Sequence, residues 1–209
     1  MITTAIYHGT MTVGQIKTLY YDQQLSTTEV AHQIDKSVWQ VIAFMKKHQL
    51  PRRKSAETQQ LAYLRRPTSF NKKSKLSPQE QILYISGLML YWGEGAKNTG
   101  SVIDLTNSDP NMIVIFVNFL RKIYQIQEQK LRVLLYCFAN QNEDQLKSYW
   151  SGLLSIPKNQ FLKTYIRQDY DLKKIGKMPY GVAHLRYYDK KLYSQIQSDT
   201  DIITRDLLK

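Results

Sequence analysis

Apolar residues recur at helical spacing through the first quarter of the chain. Ile16, Leu19 and Tyr20 predict a helix over about Val13 to Gln23, and Val30, Ala31 and Ile34 predict a second. The second opens at Ser26-Thr27-Thr28-Glu29, where the Ser and the Glu three residues later can each satisfy the other's backbone N–H. A turn at Asp35-Lys36 follows, and Ser37 is placed to cap a third helix carrying Val41, Phe44 and Met45. Asp35 stands where such a turn usually wants Gly, and Asp tolerates the left-handed backbone better than most residues. Beyond Pro78 the elements alternate. Ser77-Pro78 with Glu80 starts a helix that runs into the apolar stretch Ile82–Lys97, ILYISGLMLYWGEGAK. Ser101–Thr106 reads as a short strand, and Asp109-Pro110 opens a helix apolar enough, from Met112 to Ile123, to be buried on a broad face. Leu131–Phe138 predicts a buried strand, Glu143–Leu154 a helix, Gln160–Arg167 a strand, Gly181–Tyr188 another, and a helix follows from Asp189. The sum is an α+β fold with a mostly antiparallel sheet.

The pattern divides the 209 residues into a three-helix domain over 1–60, a basic linker over 61–78 and an α+β domain over 79–209. The formal net charge of +12 and pI near 9.6 are the footprint of a polyanion binder, nucleic acid or anionic membrane. With Cys137 the only cysteine, an internal disulfide and a thiolate zinc site are excluded, and the four histidines are scattered. No apolar run approaches the roughly 20 residues that span a bilayer, and the start lacks a charged segment followed by an apolar core. The expected compartment is the cytoplasm.

In Gly93-Glu94-Gly95 a lone carboxylate ends the apolar helix between two residues that let another backbone approach closely. Such an acid serves as a metal ligand or as a cap for a neighbouring element. This stretch resembles the signature helix of the LAGLIDADG homing endonucleases, whose final acid-Gly pair is Glu94-Gly95 here. The resemblance implies a curved antiparallel sheet forming a saddle over DNA, with the motif helices of two subunits side by side. Ser86, Gly87 and Gly93 would then be the small residues at that seam, although Met89 holds the family's usual small position and Trp92 is bulky. A chain with one motif implies a homodimer in a prokaryote or phage. Glu94 would hold Mg2+, Lys97 would stabilise developing charge, and Lys163, Arg167 and Arg186 would be saddle residues on the DNA-facing strands. Asp104, on the adjoining strand, is a weaker candidate for a supporting role behind Glu94 and reads better as an exposed strand acid.

The spacing of the first three helices resembles a helix-turn-helix, with Ala31 and Val41 at the helix contact. That resemblance places the third helix in a major groove of double-stranded DNA and nominates Ser37, Trp39 and Gln40 as base contacts, Gln40 suiting adenine. Trp39 suits a core position equally. Lys46, Lys47, Arg52, Arg53 and Lys54 would meet phosphates, and Arg65, Arg66, Lys72, Lys73 and Lys75 form a basic arm or a solvated tether. His184-Leu185-Arg186-Tyr187 lacks the His-x-x-Arg spacing of tyrosine recombinases, and Gly95–Gly100 lacks the spacing of a phosphate loop. Two functions are therefore expected: a metal-dependent, site-specific DNA endonuclease, or a non-catalytic transcriptional regulator that keeps the endonuclease-like fold for DNA binding or dimerisation.

Overall fold

The computed structural model describes residues 10–97, 100–168 and 178–208. The chain divides into two units, Met1–Pro67 and Thr68–Lys209.

In the first unit, α1 (Val13–Lys17) passes directly into a π-helical turn at Thr18–Asp22, followed by α2 (Thr27–Gln33), α3 (Val38–Lys47) and α4 (Ser55–Arg65). Both α2 and α3 start with a capping box: Ser26 with Glu29, as expected, and Ser37 with Gln40. The turn between them holds Asp35 at φ 51°, and the N–H of Lys36 reaches back to the Ala31 carbonyl at 2.9 Å. This closes α2 through the left-handed residue anticipated for the turn. Ile16, Leu19, Tyr20, Val30, Ala31, Ile34, Val41 and Met45 form the core. Arg53 locks the α3–α4 connection onto it, with its backbone N–H donating to the Tyr20 hydroxyl at 2.8 Å. The α4 helix was not foreseen because it buries no residue and so shows no apolar stripe.

The second unit is built on a four-stranded sheet of β1 (Val102–Asn107), β2 (Leu131–Phe138), β3 (Tyr165–Arg167) and β4 (Val182–Tyr188), in the order β1-β4-β2-β3. Two of its three pairings are antiparallel, and β3 runs parallel to β2. The predicted strand over Gln160–Arg167 is thus shorter and differently paired. The helix α7 (Glu143–Leu154) lies between β2 and β3 and returns the chain to the same end of the sheet, so the second strand pairs parallel. Ile103, Leu105, Val133, Leu135, Ala183, Leu185 and Tyr187 are buried on one face. The amphipathic α6 (Pro110–Tyr124) packs against β1 and β4. Two further helices, α5 (Pro78–Glu94) on α6 and α8 (Lys190–Leu207) on α5 and β1, complete the layer. The result is an α+β unit with helices on one face of the sheet. No helix among the described residues is long and apolar enough to cross a membrane.

The predicted basic linker is not a tether. Its first residues complete α4, and residues 68–76 are strapped onto the second unit. Asn71 and Lys73 donate backbone N–H groups to Tyr124 and Ile123 carbonyls at 2.9 and 2.8 Å. Ser69 is buried; its carbonyl accepts from the Tyr187 hydroxyl at 2.7 Å, and its own hydroxyl donates to Asp189. Lys72 reaches Asp199 at 2.7 Å, and Lys73 reaches Glu80 at 2.6 Å.

Candidate functional site

Three surfaces carry the residues that sequence reasoning singled out. On α3, Val41 and Met45 face the core, and the opposite side presents Trp39, Gln40, Ala43, Lys46 and Lys47. Trp39 is 81% exposed, so its place is on the surface and not in the core. Ser37 and Gln40 are engaged with each other: the Ser37 N–H donates to Gln40 Oε1 at 2.9 Å, and the Gln40 N–H donates to Ser37 Oγ at 3.2 Å. Arg52, Lys54 and Arg66 are also exposed.

Other expected DNA contacts have structural duties. The Arg53 guanidinium donates to the Leu25 carbonyl and lies 4.0 Å from the centre of the Tyr20 ring. Arg65 pairs with Glu29 at 2.9 Å. Partial burial works to raise the Glu29 pKa, but hydrogen bonds from Arg65 and Ser26 outweigh it and bring it to about 2. For Lys72, burial opposes the charge, yet Asp199 and Tyr84 hold its ammonium above the ordinary lysine range. These three cations, together with Lys73, answer carboxylates or carbonyls of their own unit.

The second surface is the end of α5. Glu94 closes the helix and is exposed; it stands at the negative pole of the helix dipole, where a cation is favoured. The chain then turns sharply, because Gly95 bridges Leu105 of β1 while the Ala96 N–H donates to the Asp104 carbonyl at 2.9 Å. A side chain at Gly95 would strike the Tyr91 ring at 2.3 Å, so the turn requires glycine for space. The Lys97 carbonyl accepts from the Tyr193 hydroxyl, and Lys97 is exposed three residues beyond the last residue of α5. Along α5, Ile82, Ile85, Ser86, Trp92 and Gly93 face outward on one stripe. Gly87, expected at a seam between two subunits, faces the opposite way. A Cβ there would lie 2.2 Å from Phe119 Cγ, so its missing side chain makes room for α6 of its own chain.

The third surface is the sheet face away from the helices. Strand alternation places Asp104 and Thr106 of β1, His184 and Arg186 of β4, Arg132 and Tyr136 of β2, and Tyr165 and Arg167 of β3 on or beside it. Lys163 is exposed just before β3. Tyr136 lies between Tyr165 and His184, with ring centres 4.9 and 4.6 Å away, and Arg167 sits 5.8 Å over Phe138.

Asp104 departs from the exposed acid expected at that position. It is 8% exposed, with Oδ2 2.7 Å from Arg186 Nε and Oδ1 3.2 Å from His184 Nδ1. Burial works to raise its pKa, and His184 and Arg186 more than reverse this, holding the carboxyl below the usual range. A depressed folded pKa adds stability above the ordinary carboxylate pKa that is lost as pH falls through the folded value. Asp104→Asn is therefore expected to cost about 2 kcal/mol at pH 7 and less in acid. Urea unfolding at pH 7 and pH 3 measures both; an equal penalty at the two values rejects the charge pairing as its cause.

Sequence reasoning missed Asp104 with His184, and it missed Asp199. The second had a legible signal, since Asp199 interrupts the apolar stripe of Leu192, Ile196 and Ile203 on α8. No protein-family model, curated protein or solved structure matches the chain.

Proposed function

We propose that this is a sequence-specific double-stranded DNA-binding protein, with α2 and α3 acting as a helix-turn-helix. The observation that carries this reading is the outward face of α3. Its first turns present Trp39, Gln40 and Ala43 beyond a left-handed turn, and Lys46 and Lys47 follow toward the helix end. A helix presented to a major groove puts its first turns against base edges and its flanking cations against phosphates. Arg52 and Lys54 extend the cationic surface, and the net charge of +12 agrees with a polyanionic partner.

The second unit is proposed to act as a LAGLIDADG-type endonuclease domain. Two features support it: an exposed carboxylate where α5 ends, and a sheet face carrying Arg132, Arg167 and Tyr165. The outward stripe of Ile82, Ile85 and Trp92 is apolar surface suited to a second copy, which would make the protein a homodimer. Among the described residues no three His, Cys, Asp or Glu side chains are grouped to hold a metal. In a dimer of this kind the exposed Glu94 carboxylate of each copy, at a helix C-terminus, would be the residue that holds a cation. Oxygen donors of this kind suit Mg2+, which when bound would polarise a phosphate and lower the pKa of water. Lys97 would supply positive charge toward the phosphate. A second reading, a non-catalytic transcriptional regulator, is favoured by one observation: Gly87 is filled by Phe119, so the small residue does not mediate close approach between copies.

One experiment separates these. Fragments bound by the full chain are recovered from a random duplex library and incubated with Mg2+ and either wild type or Glu94→Gln. The nuclease reading expects cleavage by wild type, roughly a hundredfold or greater loss in the variant and unchanged binding. Equal binding with no cleavage by either leaves the regulator. A homodimer predicts two-fold related half-sites in the recovered fragments.

A further inference from the structure

The face of α3 proposed to meet base edges is mostly apolar. Trp39, Ile42 and Ala43 form a ridge at i, i+3 and i+4, and with Lys46 and Lys47 they line one surface depression. A helix that reads bases through hydrogen bonds would place Asn, Gln or Arg on that ridge. The amide beside it, Gln40, has Oε1 engaged by the Ser37 N–H at 2.9 Å. Bidentate pairing with adenine uses both the oxygen and the nitrogen of an amide, so the capping box competes with the contact that sequence reasoning assigned to Gln40.

Among the unmodified bases, the one apolar group that projects into the major groove is the 5-methyl of thymine. We infer that α3 reads thymine methyl groups, with Trp39 and Ile42 as the contacting side chains and Ala43 as the small residue that lets the helix approach the bases. This inference rests on the DNA-binding reading. Charge complementarity selects DNA as the occupant over an apolar protein groove: Lys46 and Lys47, one helical turn beyond the ridge, are both exposed. A Trp that is 81% exposed gains little until an apolar partner covers it.

The duplex pool that the full chain retains from a random library can be amplified with either dTTP or dUTP, giving the same sequences with and without the methyl. Burying one methyl is worth roughly fourfold in affinity, so two or three contacts make the dU pool bind roughly fifteenfold or more weakly. Trp39→Ala, a change at an exposed position, is expected to weaken binding to the dT pool and to shrink the dT/dU ratio toward one. Lys46→Ala is expected to weaken binding to both pools alike and to keep the ratio. Equal binding of both pools by wild type overturns the methyl reading while leaving DNA binding in place. Failure to retain any duplex at low salt overturns both, and the ridge then serves a protein or a second copy of this chain.

Discussion

Replacing Asp199 with alanine is expected to remove about 3–5 kcal/mol of stability from the second unit. Asp199 is 2% exposed and accepts from Tyr124 at 2.6 Å, Lys72 at 2.7 Å and Gln195 at 3.0 Å. Removing its carboxylate strands a buried phenol and leaves a half-buried ammonium with the Tyr84 hydroxyl, at 3.3 Å, as its hydrogen-bond partner among the described residues. Each such loss leaves a desolvated group without the partner that offset its burial. The strap at 68–76 should loosen with it, since Lys72 is one of its attachments. Urea unfolding gives the magnitude, and hydrogen exchange at Asn71 and Lys73 locates it. A loss below about 1 kcal/mol would show that water satisfies these groups and that the cluster is not a structural centre. Replacing Lys72 and Asp199 together should cost less than the sum of the single losses, as expected for partners in one network.

Gly87→Val is expected to destabilise the same unit by about 3 kcal/mol. The Cβ would lie 2.2 Å from Cγ and 2.7 Å from Cβ of Phe119, atoms near the root of a fully buried side chain that cannot swing aside. Separation of α5 from α6 is then the available relief, and it opens the stacked pair of Tyr91 and Phe116. The gain in helix propensity on leaving glycine is about 1 kcal/mol at most and does not offset this. Phe119→Ala in the Gly87→Val background should recover part of the loss, because it removes the Cγ and Cδ2 atoms that the new side chain meets, although alone it destabilises. Thermal unfolding of the three variants decides. Additive losses would place the clash elsewhere, and a stable Gly87→Val chain would mean that α5 and α6 pack less closely than the structure has them.

Most elements were legible because their signals are local. Ser26 and Glu29, Ser77 and Glu80, and the residues before α6 and α8 announce helix starts through side chains that reach only their own first turn. Asp35 gave the turn between α2 and α3 for the same reason. The direction of β3 was less accessible, since it depends on the path of the chain through α7. Among site residues, exposure of Glu94, Lys46 and Lys47 followed from helix ends and periodicity. The fate of Arg53, Arg65, Lys72, Lys73 and Arg186 did not, because it is set by partners 7 to 127 positions away. A cation in a basic sequence reads as a phosphate contact until the acid that claims it is placed in space. Gln40 differs in kind: its partner Ser37 is three residues away, and the same Ser-x-x-Gln spacing that caps α3 engages the oxygen assigned to adenine.

The strap that begins the second unit also has a kinetic consequence. Ser69 closes onto Tyr187 and Asp189, and Lys72 onto Asp199, across separations of 118, 120 and 127 residues. Loops that long delay folding, because their closure entropy must be met before the contacts form. On a ribosome adding residues from the amino end, the first unit holds its own core early. The second cannot complete its core until α8 emerges, and for that interval the surfaces of α5 and β1 that α8 will cover stand open. Synthesis order thus makes this interval the time when nascent chains are most prone to associate wrongly.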